Sequence, residues 1–154
     1  MATPYFKQAS IRDVTCGENV IIIEPANVYE CTIGNNSFVG PFTEIQKGVV
    51  ISHNCKIQSH SFICEGVIIG NDCFIGHGVM FINDTFIDGK PAAGDKSKWK
   101  RTVIGNNVSI GSNATILPVS ICADVVIGAG AVVTKDIEAA GVYAGNPAVL
   151  LKRV

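Results

Sequence analysis

A bulky aliphatic or aromatic residue returns at every sixth position through the middle of this chain. The repeat positions are Ile33, Val39, Ile45, Ile51, Ile57, Ile63, Ile69, Ile75 and Phe81. An α-helix brings side chains to one face about every 3.6 residues and a strand about every two, so neither explains a spacing of six. Small residues such as Cys31 and Ser37 stand two places earlier, and turn formers such as Gly34 and Asn35 follow. Each hexad is therefore predicted to form one short strand and one tight corner.

Three such hexads close a triangular coil, and successive coils stack as parallel strands about 4.8 Å apart. The spacing extends back to Ile22 and Val28 and resumes from Ile104 to Val133, with two steps of five residues instead of six. In total 17 positions follow the pattern, which is enough for about six coils. The predicted fold class is all-β, a parallel β-helix.

One interruption breaks the pattern. Phe81 and Ile104 are 23 residues apart where six would do, so about 17 residues must leave the stack. We predict an outward loop over about 84–101 and a C-terminal cap over about 137–154, where GVYAGNPAVLLKRV loses the period. The whole of 1–154 is predicted to be a single domain.

Charge and cysteine usage narrow the function classes. The net charge is −1, with 12 basic and 13 acidic residues, so neither nucleic acid nor an anionic membrane is an expected partner. MATPYFKQAS lacks the apolar segment of a signal peptide, which favours a cytoplasmic location. None of the six cysteines forms a CxxC pair, so no metal is expected. Cys55 and Cys73 share one column with Ser37 and are expected to pack as small buried residues.

The repeats VIGNNVSIGSNATILP and VVIGAGAVVTKDI, followed by YAGNPAVLLKRV, resemble those of the hexapeptide-repeat acyltransferases. The resemblance implies a left-handed β-helix, a handedness that hexad spacing does not determine. The stretch HSFICEGVIIGNDCFIGHGVMFIND is most similar to N-acetyltransferases of nucleotide-linked amino sugars, which act in the synthesis of O-antigen and other surface polysaccharides. That group implies acetyl-CoA as cosubstrate, a dTDP- or UDP-amino sugar as acceptor and a homotrimer with active sites between subunits. The segment TFIDGKPAA after Asn83-Asp84 departs from the Pro-Arg-Ala typical of the group and leaves the sugar open.

Acetyl transfer to an amine uses a base or an orienting group beside the nucleophile. His77 is the leading candidate, because it lies in IGHGVMFIND one side of the coil before the loop. Asn83 and Asp84 stand where the loop leaves the stack and are candidates to hold the amine. Whether His77, Asp84 or no residue takes the proton stays open.

Substrate-binding residues are expected at the same corner and in the loop. Lys47, Glu65 and Asn83 are successive members of one column, and His60 lies near the corner of His77 on an adjacent coil. The loop adds Lys98, Trp99 and Lys100, whose charges and indole suit a nucleotide diphosphate and base.

The resemblance also places coenzyme A toward the C-terminal coils. The residues it implicates are Gly111, Ser112, Ala129, Gly130, Lys135, Lys152 and Arg153.

Three other functions fit a β-helix. A γ-class carbonic anhydrase needs three converging histidines, which His53, His60 and His77 do not provide at their spacing. An O-acetyltransferase of the maltose type has its histidine after the loop begins, where this chain has none. A non-enzymatic scaffold would leave the outward loop and the basic tail without a purpose.

Overall fold

Three parallel sheets form the walls of a triangular prism in the computed structural model, which describes residues 10–153. Residues 1–9 and Val154 lie outside the described part. The structure therefore does not describe most of the segment MATPYFKQAS, and both ends of the predicted domain and the last residue of the predicted cap also lie outside it. The extent 1–154 stays a prediction.

The strands are short because each fills one side of a coil. The N-terminal strands are β1 (Ile11–Arg12), β2 (Thr15–Cys16), β3 (Ile21–Ile22), β4 (Asn27–Tyr29), β5 (Thr32–Ile33), β6 (Phe38–Val39) and β7 (Glu44–Ile45). The central strands are β8 (Val50–Ile51), β9 (Lys56–Ile57), β10 (Phe62–Ile63), β11 (Val67–Ile69), β12 (Phe74–Ile75) and β13 (Met80–Phe81). A 3-10 helix, η1 (Lys96–Lys98), interrupts the strands before the final set. That set comprises β14 (Thr102–Ile104), β15 (Ser109–Ile110), β16 (Thr115–Ile116), β17 (Ser120–Ile121), β18 (Val125–Ile127), β19 (Val132–Val133), β20 (Gly141–Ala144) and β21 (Val149–Lys152).

Every third strand joins the same sheet. Sheet A holds seven strands in the order β1-β4-β7-β10-β13-β16-β19, and sheet B holds six in the order β17-β14-β11-β8-β5-β2. Sheet C holds eight, from β3 through β6, β9, β12, β15, β18 and β20 to β21. The stack has about seven coils, one more than predicted. The exposed strands β1 and β2 precede the predicted repeat, which began at Ile22 in β3, and β20 continues sheet C beyond it.

The strand register shows where the chain leaves the stack. Corresponding residues of neighbouring coils are 18 apart at His53 and Asn71 but 35 apart at Asn71 and Asn106. The extra residues leave between β13 and β14, while Ile69 and Ile104 still pair directly. The outward loop is confirmed, and the sheets continue past it without a shift in register.

The repeat residues fill the prism. Ile33, Ile57 and Ile75 are fully buried. The other seven aliphatic or aromatic residues at repeat positions from Val28 to Phe81 are at most 1% exposed. The small residues two places earlier lie beside the corners, and several of the polar ones donate to carbonyls of the next coil. The Ser61 hydroxyl donates to the Gly76 carbonyl at 2.9 Å, and the Cys55 thiol donates to the Gly70 carbonyl at 3.1 Å. The expectation that the small column is structural is consistent with these bonds.

The C-terminal segment extends one wall and turns back. β20 continues sheet C parallel to β18, and β21 then pairs antiparallel with β20. This hairpin is the predicted cap. Across residues 10–153, no helix has the length and apolar character needed to cross a bilayer.

Candidate functional site

Two of the three corners of the prism carry the candidate site residues. We call the edge between sheets C and A the histidine corner; it contains 41–42, 59–60, 77–78, 112–113 and 129–130. We call the edge between sheets A and B the loop corner; it contains 46–48, 65–66 and Asn83, and the 84–101 loop leaves from it. The remaining edge, between sheets B and C, contains His53.

His77 is exposed at the middle of the histidine corner, and its ring is held from the coil below. The Ser59 hydroxyl lies 2.9 Å from His77 Nδ1. A hydrogen bond to one ring nitrogen fixes the ring orientation and leaves the other nitrogen free to face a ligand. The His77 carbonyl accepts from the Asn113 amide at 2.8 Å, which anchors the backbone to the coil above. Ser59 was not among the sequence candidates, although its position 18 residues before His77 places it in the same column.

Above His77 the corner is narrow and lined by backbone. A side chain at Gly111 would approach the Ala129 backbone nitrogen to 2.5 Å, so this coil contact requires glycine. Gly130 has a φ of +68° with open space where a Cβ would be, and its amide donates to the Ser112 carbonyl at 2.9 Å. The structure therefore brings Gly111, Ser112, Ala129 and Gly130 together, directly above His77.

Below His77 the same corner carries two aromatic side chains. The ring centroids of Phe42 and His60 are 4.9 Å apart with an interplanar angle of 28°. His60 therefore shares the corner of His77, as expected, but Ser59 rather than His60 contacts the His77 ring.

Asn83 and Asp84 organise the base of the loop. The Asn83 side chain donates to the Glu65 carbonyl at 3.1 Å, which confirms that these two residues share a column. Asp84 Oδ1 accepts from the Phe86 amide at 2.9 Å and Oδ2 accepts from the Ala92 amide at 2.7 Å. Both Asp84 oxygens are thus engaged by the loop itself, which suits a positioning role better than proton abstraction.

A cavity of about 210 Å³ lies where the loop folds back on the loop corner. It is lined by Gly48, Glu65, Gly66, Lys96, Trp99, Lys100 and Arg101. Lys96 Nζ contacts both Glu65 oxygens at 2.8 and 2.6 Å, and it lies 5.5 Å from the Trp99 ring centroid. Lys96 and Arg101 were not among the predicted site residues, although both lie in the same basic stretch as Lys98 and Lys100. The predicted residues Glu65, Trp99 and Lys100 are brought together here.

The remaining predicted basic residues lie apart from this cavity. Lys98 Nζ pairs with Asp88 at 2.7 Å on the loop. Lys135 follows β19 and is exposed at the loop corner, whereas Lys152 and Arg153 lie at the end of β21, away from the histidine corner. Within one chain the predicted coenzyme A residues therefore occupy different edges.

Burial sets the protonation state of two cysteine thiols, Cys31 and Cys64. Burial raises the pKa of Cys31 to about 11 and that of Cys64 to about 12, so both thiols are protonated near neutral pH. Within the described residues, no three His, Cys, Asp or Glu side chains converge as metal ligands.

Comparisons with known proteins agree with the repeat pattern. Residues 101–135 match the family described as hexapeptide repeat of succinyl-transferase, and 30–65 and 48–83 match the bacterial transferase hexapeptide. The chain is 31% identical over 150 residues to the bifunctional protein GlmU of Streptococcus uberis, covering 92% of this chain and 32% of that protein. It thus spans about a third of the length of the curated relatives it matches.

Two solved structures share the fold. A variant of AntD, an N-acyltransferase from Bacillus cereus in complex with dTDP and coenzyme A, gives a TM-score of 0.77 at 23% identity, covering 90% of this chain and 83% of that one. VCA0836 from Vibrio cholerae, an acetyltransferase in complex with acetyl coenzyme A, gives 0.59 at 20% identity, covering 89% and 69%. The predicted left-handed parallel β-helix is confirmed.

Proposed function

Since this chain belongs to the hexapeptide-repeat family of transferases, we propose that it transfers an acetyl group from acetyl-CoA to the amine of a nucleotide-linked amino sugar. The product would serve the synthesis of a surface polysaccharide, and the reaction would take place in the cytoplasm. The bound dTDP, coenzyme A and acetyl-CoA of the two structural neighbours support this choice of ligands.

The observation that carries the proposal is the exposed His77 ring, oriented by Ser59, at the middle of the histidine corner. Coenzyme A would lie along Gly111, Ser112, Ala129 and Gly130, where backbone is accessible because Gly130 has no side chain. Its thioester would reach His77 from above. The second His77 nitrogen would then accept a proton from the attacking amine, a role that contributes roughly 10²–10⁴-fold in comparable enzymes.

We further propose that the active site is shared between subunits of a C₃ homotrimer. The histidine corner and the loop corner bound opposite edges of sheet A, so one chain cannot bring His77 beside its own loop. With the three A sheets facing a threefold axis parallel to the prism, the histidine corner of each subunit meets the loop corner of the next. Asn83, Asp84 and the loop cations would then complete the site from the partner subunit.

Subunit mixing tests the shared site. His77→Ala and Asp84→Ala each should lose activity as homotrimers, and random mixed trimers formed by co-refolding should regain about a quarter of the wild-type rate, because one pairing in four then has both residues. Mixing His77→Ala with the double variant His77→Ala/Asp84→Ala is the matched control, since no subunit then carries His77 and nothing is restored. If mass spectrometry verifies mixed trimers of His77→Ala and Asp84→Ala but these trimers regain no activity, the shared site is refuted.

O-acetyl transfer is the second candidate, favoured by the His77–Ser59 contact, because a hydroxyl acceptor needs a general base more than a neutral amine does. Supplying amino and hydroxyl forms of one sugar nucleotide with acetyl-CoA separates the two reactions by product mass. The N-acetyl proposal predicts turnover of the amino form only.

A further inference from the structure

Phe42 has an unusual backbone conformation for a bulky residue. Its φ is +59°, in the left-handed region that Asn, Asp and Gly normally occupy. At the corresponding position of a higher coil on the same corner, Asn113 has the same φ of +59°. An aromatic side chain there costs backbone strain, and strained residues concentrate at ligand sites.

The Phe42 ring is also placed to receive a ligand. The side chain is 59% exposed, so this strain is not offset by burial in the core. One face of the ring stacks on His60, and Phe42 lines a surface groove of about 290 Å³ with Pro25, Asn27 and Glu44. That volume is near the lower end of small-ligand pockets, about 300 Å³.

The groove has a definite position relative to His77. Phe42 and His60 occupy successive coils directly below Gly78, as the backbone bonds of the corner show. Two coil spacings of about 4.8 Å put Phe42 roughly 10 Å below the histidine. The coenzyme A residues lie on the opposite side, above it. A ligand at Phe42 therefore lies on the side left for the acceptor.

We propose that the Phe42–His60 pair is the platform on which the nucleobase of the acceptor stacks. This rests on the proposed function, because it assumes that the acceptor amine lies at His77. Base–aromatic stacking is tolerant of base identity. Glu44 provides a hydrogen-bond acceptor in the same groove: Oε1 accepts from Gln46 at 2.9 Å, and Oε2 has no hydrogen bond within residues 10–153. A ring N–H, such as that of a pyrimidine imide, matches this carboxylate.

The diphosphate then falls between the base and the amine. Rotation about a threefold axis parallel to the prism leaves each coil at the same position along that axis. The cavity lined by Gly48, Glu65 and Gly66 belongs to the same two coils as Phe42 and His60, so it faces these two residues of the neighbouring subunit. Lys100 and Arg101 line that cavity, and neither forms an ion pair within the described chain. Lys100 and Arg101 of the partner subunit would contact the diphosphate.

The experiment measures binding of dTDP and UDP, without sugar or acetyl-CoA, by calorimetry on the intact protein. Phe42→Asn places the residue type of Asn113 in the same backbone conformation, so the melting temperature should stay equal or rise. The dTDP and UDP dissociation constants should increase by about five- to 150-fold, the loss expected for one stacked base. Acetyl-CoA affinity should not change. Phe74→Ala, which removes an exposed aromatic ring from the outer face of sheet C, is the control and should leave all three affinities unchanged.

Salt dependence separates the base from the phosphates. The loss in Phe42→Asn should be equal at about 0.05 and 0.5 M salt, whereas the loss in Lys100→Gln should shrink at the higher concentration. Nucleotide binding that is unaffected by Phe42→Asn would overturn the platform and leave acetyl transfer standing. Failure of the wild type to bind either nucleotide would also overturn it, while acetyl-CoA binding measured in parallel decides the proposed function separately.

Discussion

Replacing Ser59 with alanine removes the hydrogen bond between its hydroxyl and the His77 ring. Within residues 10–153 the Ser59 side chain makes no other hydrogen bond. A neutral hydrogen bond contributes about 0.5–1.5 kcal/mol net. If that energy holds the ring in its reactive orientation, kcat/KM should fall between about twofold and tenfold. The KM for acetyl-CoA should be unchanged, because Ser59 lies below His77 and the proposed coenzyme A residues lie above it.

A double-mutant cycle makes this quantitative. His77→Ala alone should reduce kcat by about 10²–10⁴-fold. If Ser59 acts only through His77, adding Ser59→Ala to that variant should cause no further loss. Rates would be measured by chromatography of the acetylated product, with Ser52→Ala, a serine on a different corner, as the control. A full Ser59 effect that persists without His77 would refute the positioning role, and wild-type kcat in His77→Ala would remove the histidine from the mechanism.

Five further outcomes are expected. Gly111→Ala should lower the melting temperature, because the new Cβ would approach the Ala129 backbone nitrogen to 2.5 Å. Gly130→Ala has open space for its Cβ at a φ of +68° and should lower the free energy of unfolding by only about 1 kcal/mol. Thermal unfolding checks both. Asp84→Ala frees two loop amides and should lower kcat/KM by about ten- to 100-fold while the proposed trimer persists, as kinetics and light scattering would show. At pH 8 a disulfide reagent should label the exposed Cys16 before Cys64, whose pKa is raised to about 12. Mass spectrometry of the labelled protein checks this order. Since unfolded thiols titrate near pH 8.5, the contribution of the protonated Cys64 thiol to folding stability is complete below that pH and is lost as pH rises toward about 12. Unfolding measured at increasing alkaline pH tests this loss.

The fold could be predicted because every repeat position has the same physical requirement. A residue inside the coil must be large and apolar, and the residue at a corner must turn, so the pattern recurs along the chain. The first two strands were missed because Ile11 and Cys16 are only five residues apart and Cys16 is not a bulky aliphatic or aromatic residue. The spacing of six residues between Cys16 and Ile22 was the available signal. Handedness depends on the twist of the whole coil and is absent from the spacing.

The candidate site could be predicted only in part. Column arithmetic correctly paired Glu65 with Asn83 and put His60 on the corner of His77. The same arithmetic places Ser59 in the column of His77, but a serine at a corner is also a common turn residue and carries no distinct signal of function. The fold of the loop, with Lys96 turned onto Glu65 and Asp84 held by its own loop amides, depends on tertiary contacts between irregular segments. No periodic pattern reports such contacts.

The closure of the 84–101 loop has a consequence for engineering. The Lys100 amide donates to the Asn83 carbonyl at 3.1 Å, and β14 then pairs with β11 as if nothing had been inserted. Any segment whose ends can reach that one hydrogen bond would leave the sheets unchanged, and closing a longer loop costs little, about 0.6 kcal/mol per doubling of its length. The loop at this corner could thus be exchanged for one of another length, and with it the acceptor contacts proposed above, while the histidine corner stays as it is.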